Sequence, residues 1–259
     1  GFTGGGKDKV ERTEYSMADM TQRRRQFLKG LRTGWPVFLG YLPVSFAFAV
    51  WAVGNGLPWQ LVLLISMTNF TSAGQQAGAG LLAAGAGLPE IGVTVLVINI
   101  RYMLMSLSLS QKMLRIPVVK RLLLANGVTD EIFFLAMREK GQLSGWFFAG
   151  LSAGPYAGWV LGTLFGALAG SVLPAAVTSP LGIALFAMFI AIVVPEARGS
   201  RAVAAVTLTA VALSCLFRWV PLLNRVPSGW ALILCAVAAS VMGALLFPAP
   251  ETEEEGAVA

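Results

Sequence analysis

The fold is decided by one stretch, residues 57–86, which reads LPWQLVLLISMTNFTSAGQQAGAGLLAAGA. Its two ends are apolar, but its centre, SMTNFTSAGQQAG at residues 66–78, carries hydroxyl and amide side chains. About 20 apolar residues are enough to cross the hydrocarbon core as a helix, so the stretch is too long for one plain span. We predict a broken element that enters the membrane and returns, because irregular backbone survives at that depth only inside protein.

Composition extends this interpretation to the whole chain. Of its 259 residues, 56% are hydrophobic and only 12% are charged, about half the charged fraction of a typical soluble domain. So few charges cannot cover a water-facing surface, and the solvent must be lipid. We predict an all-α integral membrane protein with about seven to eight hydrophobic helical segments, some of them broken or re-entrant. The candidate segments are residues 34–54, 57–86, 88–110, 122–137, 143–170, 180–195, 201–220 and 228–247.

Charge divides the chain into three regions. Basic residues precede the first apolar segment, at Arg23, Arg24, Arg25, Lys29 and Arg32. Such residues hold the flank of a span in the cytoplasm, so the net charge of +6 gives no reason to expect a nucleic-acid partner. The predicted regions are a flexible basic cytoplasmic leader at 1–32 with a glycine-rich start at 1–16, a transmembrane domain at 33–247, and an acidic disordered tail at 248–259.

Basic residues also surround a central loop, at Lys112, Arg115, Lys120 and Arg121. The positive-inside bias puts this loop in the cytoplasm, yet three full crossings from a cytoplasmic N-terminus would put it outside. The conflict disappears if residues 57–86 enter and return. Arg138 and Lys140 pose the same question for residues 122–137. Our hypothesis is that both segments are discontinuous helices buried within protein.

Polar side chains inside apolar spans are costly, so they mark a candidate pathway. Ser66, Asn69, Ser72 and Gln76 share one helical face by their spacing. The small and amide residues of TSAGQQAG can unwind locally and offer backbone groups to a ligand; the alternative is hydrogen bonding between structural helices. The candidate substrate-binding residues here are Asn69, Ser72, Gly74, Gln75 and Gln76.

A second polar cluster lies in VINIRYMLMSLSLS, residues 97–110. Asn99 and Tyr102 share a helical face, whereas Arg101 points elsewhere. Arg101 could pair with an acidic group or grip a substrate carboxylate with its planar fork, or it could snorkel to the interface. The candidate substrate-binding residues of this segment are Asn99, Arg101 and Tyr102.

The third cluster is acidic and lies in LLLANGVTDEIFFLA, residues 122–136. The chain has no histidine, so Asp130 and Glu131 are the candidates for proton coupling. Either carboxylate could instead be a salt-bridge partner of Arg101, or the pair could mark a water-facing helix start.

Enzymatic chemistry has no support in the sequence. Without histidine there is no Ser-His pair and no histidine-based metal site. Cys215 and Cys235 lie in apolar spans and match no metal or redox spacing. No glycine-rich loop followed by lysine is present to cradle phosphate. We therefore expect a protein that is not an enzyme and that needs no metal and no cofactor.

Glycines recur every four residues from Gly150 to Gly170 and form a ridge without side chains along one helix. Close approach of another helix is its natural use. The predicted helix-packing residues are Gly154, Gly158, Gly162, Gly166 and Gly170. A Gly-x-x-Leu-Pro motif at 54–58 also recurs at 170–174, which indicates either an internal repeat or coincidence.

The polar stretches resemble AzlC-type permeases, the large subunit of branched-chain amino-acid exporters. The matching stretches are SMTNFTSAGQQAG (66–78), VINIRYMLMSLSLS (97–110), KRLLLANGVTDEIFFLA (120–136), GWVLGTLFGALAG (158–170) and LGIALFAMFIAIVVP (181–195). The resemblance implies export of branched-chain or similar apolar amino acids across the cytoplasmic (inner) membrane of a prokaryote. It also implies a small hydrophobic partner subunit of the AzlD type.

Together, the residues and the resemblance predict a proton-coupled secondary exporter. Amide and backbone groups would hold the amino acid near the midplane, while Asp130 and Glu131 would bind protons. Two rival functions remain open. The chain could be a membrane assembly subunit that binds no substrate and works through its glycine ridge, or it could be a channel for small solutes.

Overall fold

The computed structural model describes residues 4–114, 116–170, 172, 187, 190 and 193–248. The α-helices of this part are, in order, α1 (Gly4–Gly54), α2 (Trp59–Thr68), α3 (Ser72–Ala83), α4 (Leu88–Lys112), α5 (Val118–Ala125), α6 (Asp130–Arg138), α7 (Gly145–Gly170), α8 (Arg201–Trp219) and α9 (Ser228–Leu246). A short 3₁₀ turn, Leu223–Arg225, joins α8 to α9. The predicted class is confirmed: this is an all-α, multi-pass membrane protein.

Four of the described helices are long and apolar enough to cross a membrane: Met20–Gly54, Leu88–Lys112, Arg201–Trp219 and Ser228–Leu246. They agree with four of the predicted spans to within a few residues at most ends. The predicted segment 180–195 and the predicted tail 248–259 lie for the most part outside the described residues. α1 begins at Gly4, so the backbone is helical through most of the region predicted to be a flexible leader.

The glycine ridge of α7 packs against α1, and the two helices run parallel. A Cβ atom built on Gly158 would lie 2.8 Å from the Phe38 carbonyl oxygen, and one on Gly170 would lie 3.1 Å from Val50 Cα. Backbones this close leave no room for side chains at the contact. Of the predicted helix-packing residues, Gly158, Gly162, Gly166 and Gly170 meet the α1 backbone in this way, whereas a Cβ atom on Gly154 would meet only the end of the Leu31 side chain, at 3.2 Å.

Three helix ends gather beside Lys29 of α1, at one end of the membrane-spanning part, which we call the basic end. The Lys29 ammonium on α1 pairs with the carboxylate of Glu139, which directly follows α6. Lys112 at the end of α4 donates from Nζ to the carbonyl oxygens of Met137, at 2.6 Å, and Glu139, at 2.5 Å. These carbonyls belong to the last turn of α6, where no intrahelical donor remains. α7 begins six residues after Glu139, so it also starts here.

The other ends of these elements gather at the opposite end of the molecule. A Cβ atom on Gly80, near the end of α3, would lie 3.6 Å from Trp51 Cη2, near the end of α1. The backbone N–H of Gly229 in α9 donates to Glu90 Oε1 in the first turn of α4, at 2.7 Å. α1 and α3 therefore end where α4 and α9 begin.

Both predicted discontinuous elements are present and both double back. α2 leaves the opposite end and α3 returns to it, with a break at residues 69–71 that we call the first tip. α5 leaves the basic end and α6 returns to it, with a break at residues 126–129 that we call the second tip. That the basic end faces the cytoplasm remains a prediction from its charges.

Candidate functional site

The first tip forms because the backbone leaves the helical region at Asn69 and is extended at Thr71. The Thr71 hydroxyl donates to Asn69 Oδ1 at 2.8 Å, which closes the turn with side chains. Tyr156 of α7 donates from its hydroxyl to the Met67 carbonyl at 2.9 Å and so satisfies an acceptor at the end of α2. Phe70, at the centre of the tip, is buried.

The second tip ends in an N-terminal cap. Thr129 has extended backbone, and its hydroxyl oxygen accepts from the backbone N–H of Ile132 at 3.4 Å. Asp130 and Glu131 occupy the first turn of α6, where the positive end of the helix dipole stabilises acidic side chains. The hydroxyl of Tyr41 on α1 donates to the Glu131 carboxylate, and its oxygen lies 2.8 Å from Thr129 Oγ1, within hydrogen-bond distance.

The two tips meet at Tyr41. The Tyr41 ring also lies edge-on to Phe70 of the first tip, with the ring centroids 5.7 Å apart. At 1.5 Å of rise per residue, Tyr41 is about 18 Å beyond Lys29 and about 20 Å before Gly54 along α1. The meeting point is therefore near the middle of a helix long enough to span the bilayer.

A cavity of about 350 Å³ lies between the tips at this level. Its volume is at the lower end of the range for small-molecule sites. Aromatic and aliphatic groups make up one part of its wall, and hydroxyl and carboxylate groups make up the other. The lining residues are Pro36, Val37, Gly40, Tyr41, Val44, Phe70, Thr71, Ser72, Tyr102, Thr129, Asp130, Glu131 and Trp159.

The two helix N-termini at the cavity differ in charge. The first turn of α3, which begins at Ser72, contains no acidic residue, and the Thr71 side chain does not cap it. Its N–H groups therefore present the uncompensated positive end of a helix. The first turn of α6 holds two carboxylates and is capped by Thr129. The cavity thus has one anion-attracting pole and one cation-attracting pole.

The structure brings together part of the predicted site. Ser72, Tyr102, Asp130 and Glu131 line the cavity directly. Asn69 of the first tip, Gly74 of α3 and Asn99 of α4 are not among the lining residues, and they join the first tip to α4. There, Asn99 Nδ2 is 3.4 Å from Asn69 Oδ1, and a Cβ atom on Gly74 would lie 2.6 Å from Asn99 Oδ1.

Gln75 and Gln76 are not among the described residues that line the cavity. The expected unwinding of TSAGQQAG is confined to the tip: α3 is helical from Ser72, so both amides lie about one turn, roughly 5 Å, further along the helix. Gln75 donates from Nε2 to Ser66 Oγ at 2.6 Å and accepts from Trp159 Nε1 at 3.0 Å. Gln76 Oε1 is buried without a partner among the described residues.

Arg101 takes the salt-bridge alternative. Its guanidinium lies 2.8 Å from Asp130 Oδ2 and donates to the Tyr102 hydroxyl at 3.1 Å. The Arg101 and Asp130 side chains are 46% and 41% exposed. Arg101 is not among the lining residues, so in this arrangement it positions Asp130 rather than facing a ligand.

Sequence reasoning missed the aromatic wall of the cavity: Tyr41, Phe70 and Trp159. One signal pointed to Tyr41, which lies between the two prolines inside α1, Pro36 and Pro43. Each proline removes a backbone hydrogen bond, so a helix carrying two of them borders irregular or functional space. Trp159 has no comparable signal, because a tryptophan in an apolar span is equally typical of packing.

Comparisons with known proteins point in one direction. The family model described as AzlC protein matches residues 36–173, a range that contains every lining residue. An uncharacterized membrane protein of Archaeoglobus fulgidus is 34% identical over 191 residues, covering 73% of this chain and 84% of the relative. The inner membrane protein YgaZ of Escherichia coli is 32% identical over 171 residues, covering 63% of this chain and 70% of the relative. No solved structure matches the chain.

Proposed function

Because the chain belongs to the AzlC family, we propose that it is the large subunit of a two-component secondary exporter of branched-chain or similar apolar amino acids. The proposed location is the cytoplasmic (inner) membrane of a prokaryote, which agrees with the name of the Escherichia coli relative, an inner membrane protein. The observation that carries the proposal is the cavity between two half-helix N-termini of opposite electrostatic character.

A zwitterion matches the two poles of this cavity. The substrate carboxylate would bind the uncapped N–H groups at Ser72, as anions bind at the start of broken transporter helices. The substrate ammonium would face the Glu131 carboxylate, which Tyr41 orients by its hydrogen bond. The aliphatic side chain would then lie against the rings of Phe70 and Trp159. Each part of an apolar amino acid thus has a chemically suited wall.

Proton coupling is assigned to Asp130 and Glu131. These are the carboxylates that line the cavity near the middle of the bilayer, and intramembrane carboxylates are the usual proton relays of transporters. Glu131 would alternate between the substrate ammonium and a proton. Asp130 would take up a proton when its pair with Arg101 opens. Each event neutralises a charge that would otherwise resist movement of α6.

The proposal includes a small hydrophobic partner subunit of the AzlD type. The half-exposed pair of Arg101 and Asp130 supports it, because both side chains lie near mid-depth on the surface of this chain. A charged side chain in contact with lipid at that depth costs about 2.5–3.5 kcal/mol on insertion scales. A protein partner could supply hydrogen bonds there that lipid cannot.

Counterflow of labelled leucine and valine in vesicles tests the proposal, with this chain alone and with its small partner. We expect saturable uptake with the partner and loss of proton-driven export in Asp130→Asn, with the assembled complex intact. Flux that does not saturate would indicate a channel instead. Normal proton-driven export by Asp130→Asn would remove the coupling role, and absence of any amino-acid counterflow would overturn the proposed function.

A further inference from the structure

Trp159 of α7 is the part of the cavity wall that is held by both aromatic contacts and a buried hydrogen bond. Its ring is edge-on to Tyr41, with centroids 5.1 Å apart, and edge-on to Phe70, with centroids 6.0 Å apart. The side chain is only 2% exposed although it lines the cavity. Because three aromatic rings in edge-to-face contact fix one another, the apolar side of the cavity is a rigid surface rather than an adaptable one.

A buried chain of hydrogen bonds fixes the orientation of the indole. Trp159 Nε1 donates to Gln75 Oε1 at 3.0 Å, and Gln75 Nε2 donates to Ser66 Oγ at 2.6 Å. Ser66 in turn shares a hydrogen bond of 2.8 Å with Thr163, one turn along α7 from Trp159. All four side chains are at most 2% exposed. Such a network specifies one arrangement, because any other would leave polar groups unpaired in a buried place.

The indole of Trp159 therefore has a fixed position, with the cavity on one side and the hydrogen-bonded side chains of Gln75, Ser66 and Thr163 on the other. Gln75 of α3 links Trp159 to α2, because its amide oxygen accepts from the indole and its amide nitrogen donates to Ser66. Gln75 itself does not border the cavity among the described residues. Its contribution to a ligand site can only be indirect, through the ring that it holds.

We propose that Trp159 determines substrate size and that Gln75 is its positioning residue. The inference rests on the proposed function, in which the side chain of the amino-acid substrate lies at the end of the cavity formed by Phe70 and Trp159. The total space of about 350 Å³ must also hold the ammonium and carboxylate groups. On this proposal, the fixed indole favours a branched aliphatic side chain over the larger ring of an aromatic one. In an apolar pocket, one methylene group more or less in the substrate changes the transport preference by about 10–200-fold. A shift of the indole by the width of a methylene group should therefore change the preference among substrates by a similar factor.

The test is the ratio of phenylalanine to leucine counterflow, measured with labelled amino acids in vesicles that hold this chain with its small partner. Trp159→Phe shortens the wall, and we expect the ratio to rise by about tenfold or more. Gln75→Met keeps the side-chain volume at position 75 but removes both of its hydrogen bonds. We expect the phenylalanine-to-leucine ratio to rise by about threefold, because the indole can then adopt another rotamer. An unchanged ratio in both variants would overturn the proposal.

Tyr156→Phe is the matched control. Tyr156 is a partly buried aromatic residue on the same helix, and its hydroxyl also donates to the first re-entrant element, at the Met67 carbonyl. Tyr156 is not among the residues that line the cavity. Losing its hydrogen bond should lower the amount of assembled protein at most and leave the substrate ratio unchanged. A ratio that moves as much in Tyr156→Phe as in Trp159→Phe would mean general loosening and would overturn the size role.

Val44→Leu keeps the proposal testable if Trp159→Phe does not assemble. Val44 lines the cavity from α1, so the added methylene narrows the same space. The ratio of valine to leucine counterflow should then rise, and a constant ratio would count against the proposal. If the wild type moves no amino acid, the proposed function fails. If the wild type moves leucine and no ratio responds, only the present inference fails.

Discussion

Gly74→Ala should separate function from stability at the first tip. Gly74 lies on α3 facing α4, and a Cβ atom there would lie 2.6 Å from Asn99 Oδ1 and 2.8 Å from Thr71 Oγ1. Attractive contact with carbon needs about 3.5 Å, so both polar groups must turn away. In the wild type the Asn99 amide donates from Nδ2 to Asn69 Oδ1 at 3.4 Å, and the Thr71 hydroxyl donates to the same oxygen at 2.8 Å. The added methyl group therefore releases the bonds that set the shape of the tip.

The free energy of unfolding should change little. Two interhelical or local polar bonds in a membrane protein contribute about 0.6 kcal/mol each, or about 1 kcal/mol together. Replacing a helical glycine by alanine contributes about 1 kcal/mol in the opposite direction. Transport should fall by at least about tenfold, because a displacement near 1 Å at a positioning element can cost about 100-fold. Ser72 and Thr71 would suffer that displacement, and both line the cavity.

Gly78→Ala is the internal control for this prediction. Gly78 lies one turn further along α3, where a Cβ atom would meet Val95 Cγ2 at 3.1 Å, the free end of a side chain. We expect wild-type leucine counterflow and an unfolding temperature at or above that of the wild type. Equal transport by the two alanine variants would refute the role given to the bonds at Asn69. A Gly74→Ala protein that fails to fold would refute the energy balance.

Three further predictions follow from the packing, the ion pair and the topology. Gly158→Ala should lower the free energy of unfolding by about 1–3 kcal/mol, because its Cβ meets backbone atoms of Phe38. Gly154→Ala, whose Cβ meets only the end of the Leu31 side chain, should cost less in the same unfolding assay. Arg101→Ala should lower the maximal transport rate and leave the KM for leucine unchanged, because Arg101 contacts Asp130 and not the cavity; a raised KM would instead indicate carboxylate capture. Cysteines at Gln111 and Gln142 should react with an impermeant reagent from the cytoplasmic side, and cysteines at Asn55 and Ala84 from the other side. Labelling of the first pair from opposite sides would contradict the second re-entrant element, and labelling of the second pair from opposite sides would contradict the first.

The two broken elements could be predicted from the sequence, because the length, polarity or flanking charges of segments 57–86 and 122–137 do not fit a single membrane crossing. Residues 57–86 are too long and too polar at their centre for one span, and the basic loop at 112–121 is on the wrong side without a reversal. These are local or additive properties, so they can be read without coordinates. The same holds for the glycine spacing of α7, which requires a close helix neighbour but does not identify it.

The details of the site depend on where a helix begins, and the sequence does not fix that point. α3 starts at Ser72, so Ser72 faces the cavity while Gln75 and Gln76 fall one turn behind it. Unwinding through the whole of TSAGQQAG would have exposed all three. The partners of Tyr41 and Trp159 are equally out of reach, because they depend on α1 and α7 lying side by side across more than a hundred residues of sequence.

The parallel pairing of α1 and α7 constrains the topology without reference to charge. α4 and the two broken elements separate these helices, and each full crossing reverses the chain direction. If only one broken element doubled back, α7 would run antiparallel to α1, which the ordered contacts from Gly158 with Phe38 to Gly170 with Val50 exclude. The contact of Lys112 with the end of α6 then selects two reversals over none, since it places the ends of α4 and α6 at the same end of the molecule. Two reversals from opposite sides necessarily bring two helix N-termini face to face. Because only the α6 terminus carries acids, the resulting site is electrically asymmetric along the membrane normal, which would orient a zwitterion during transport.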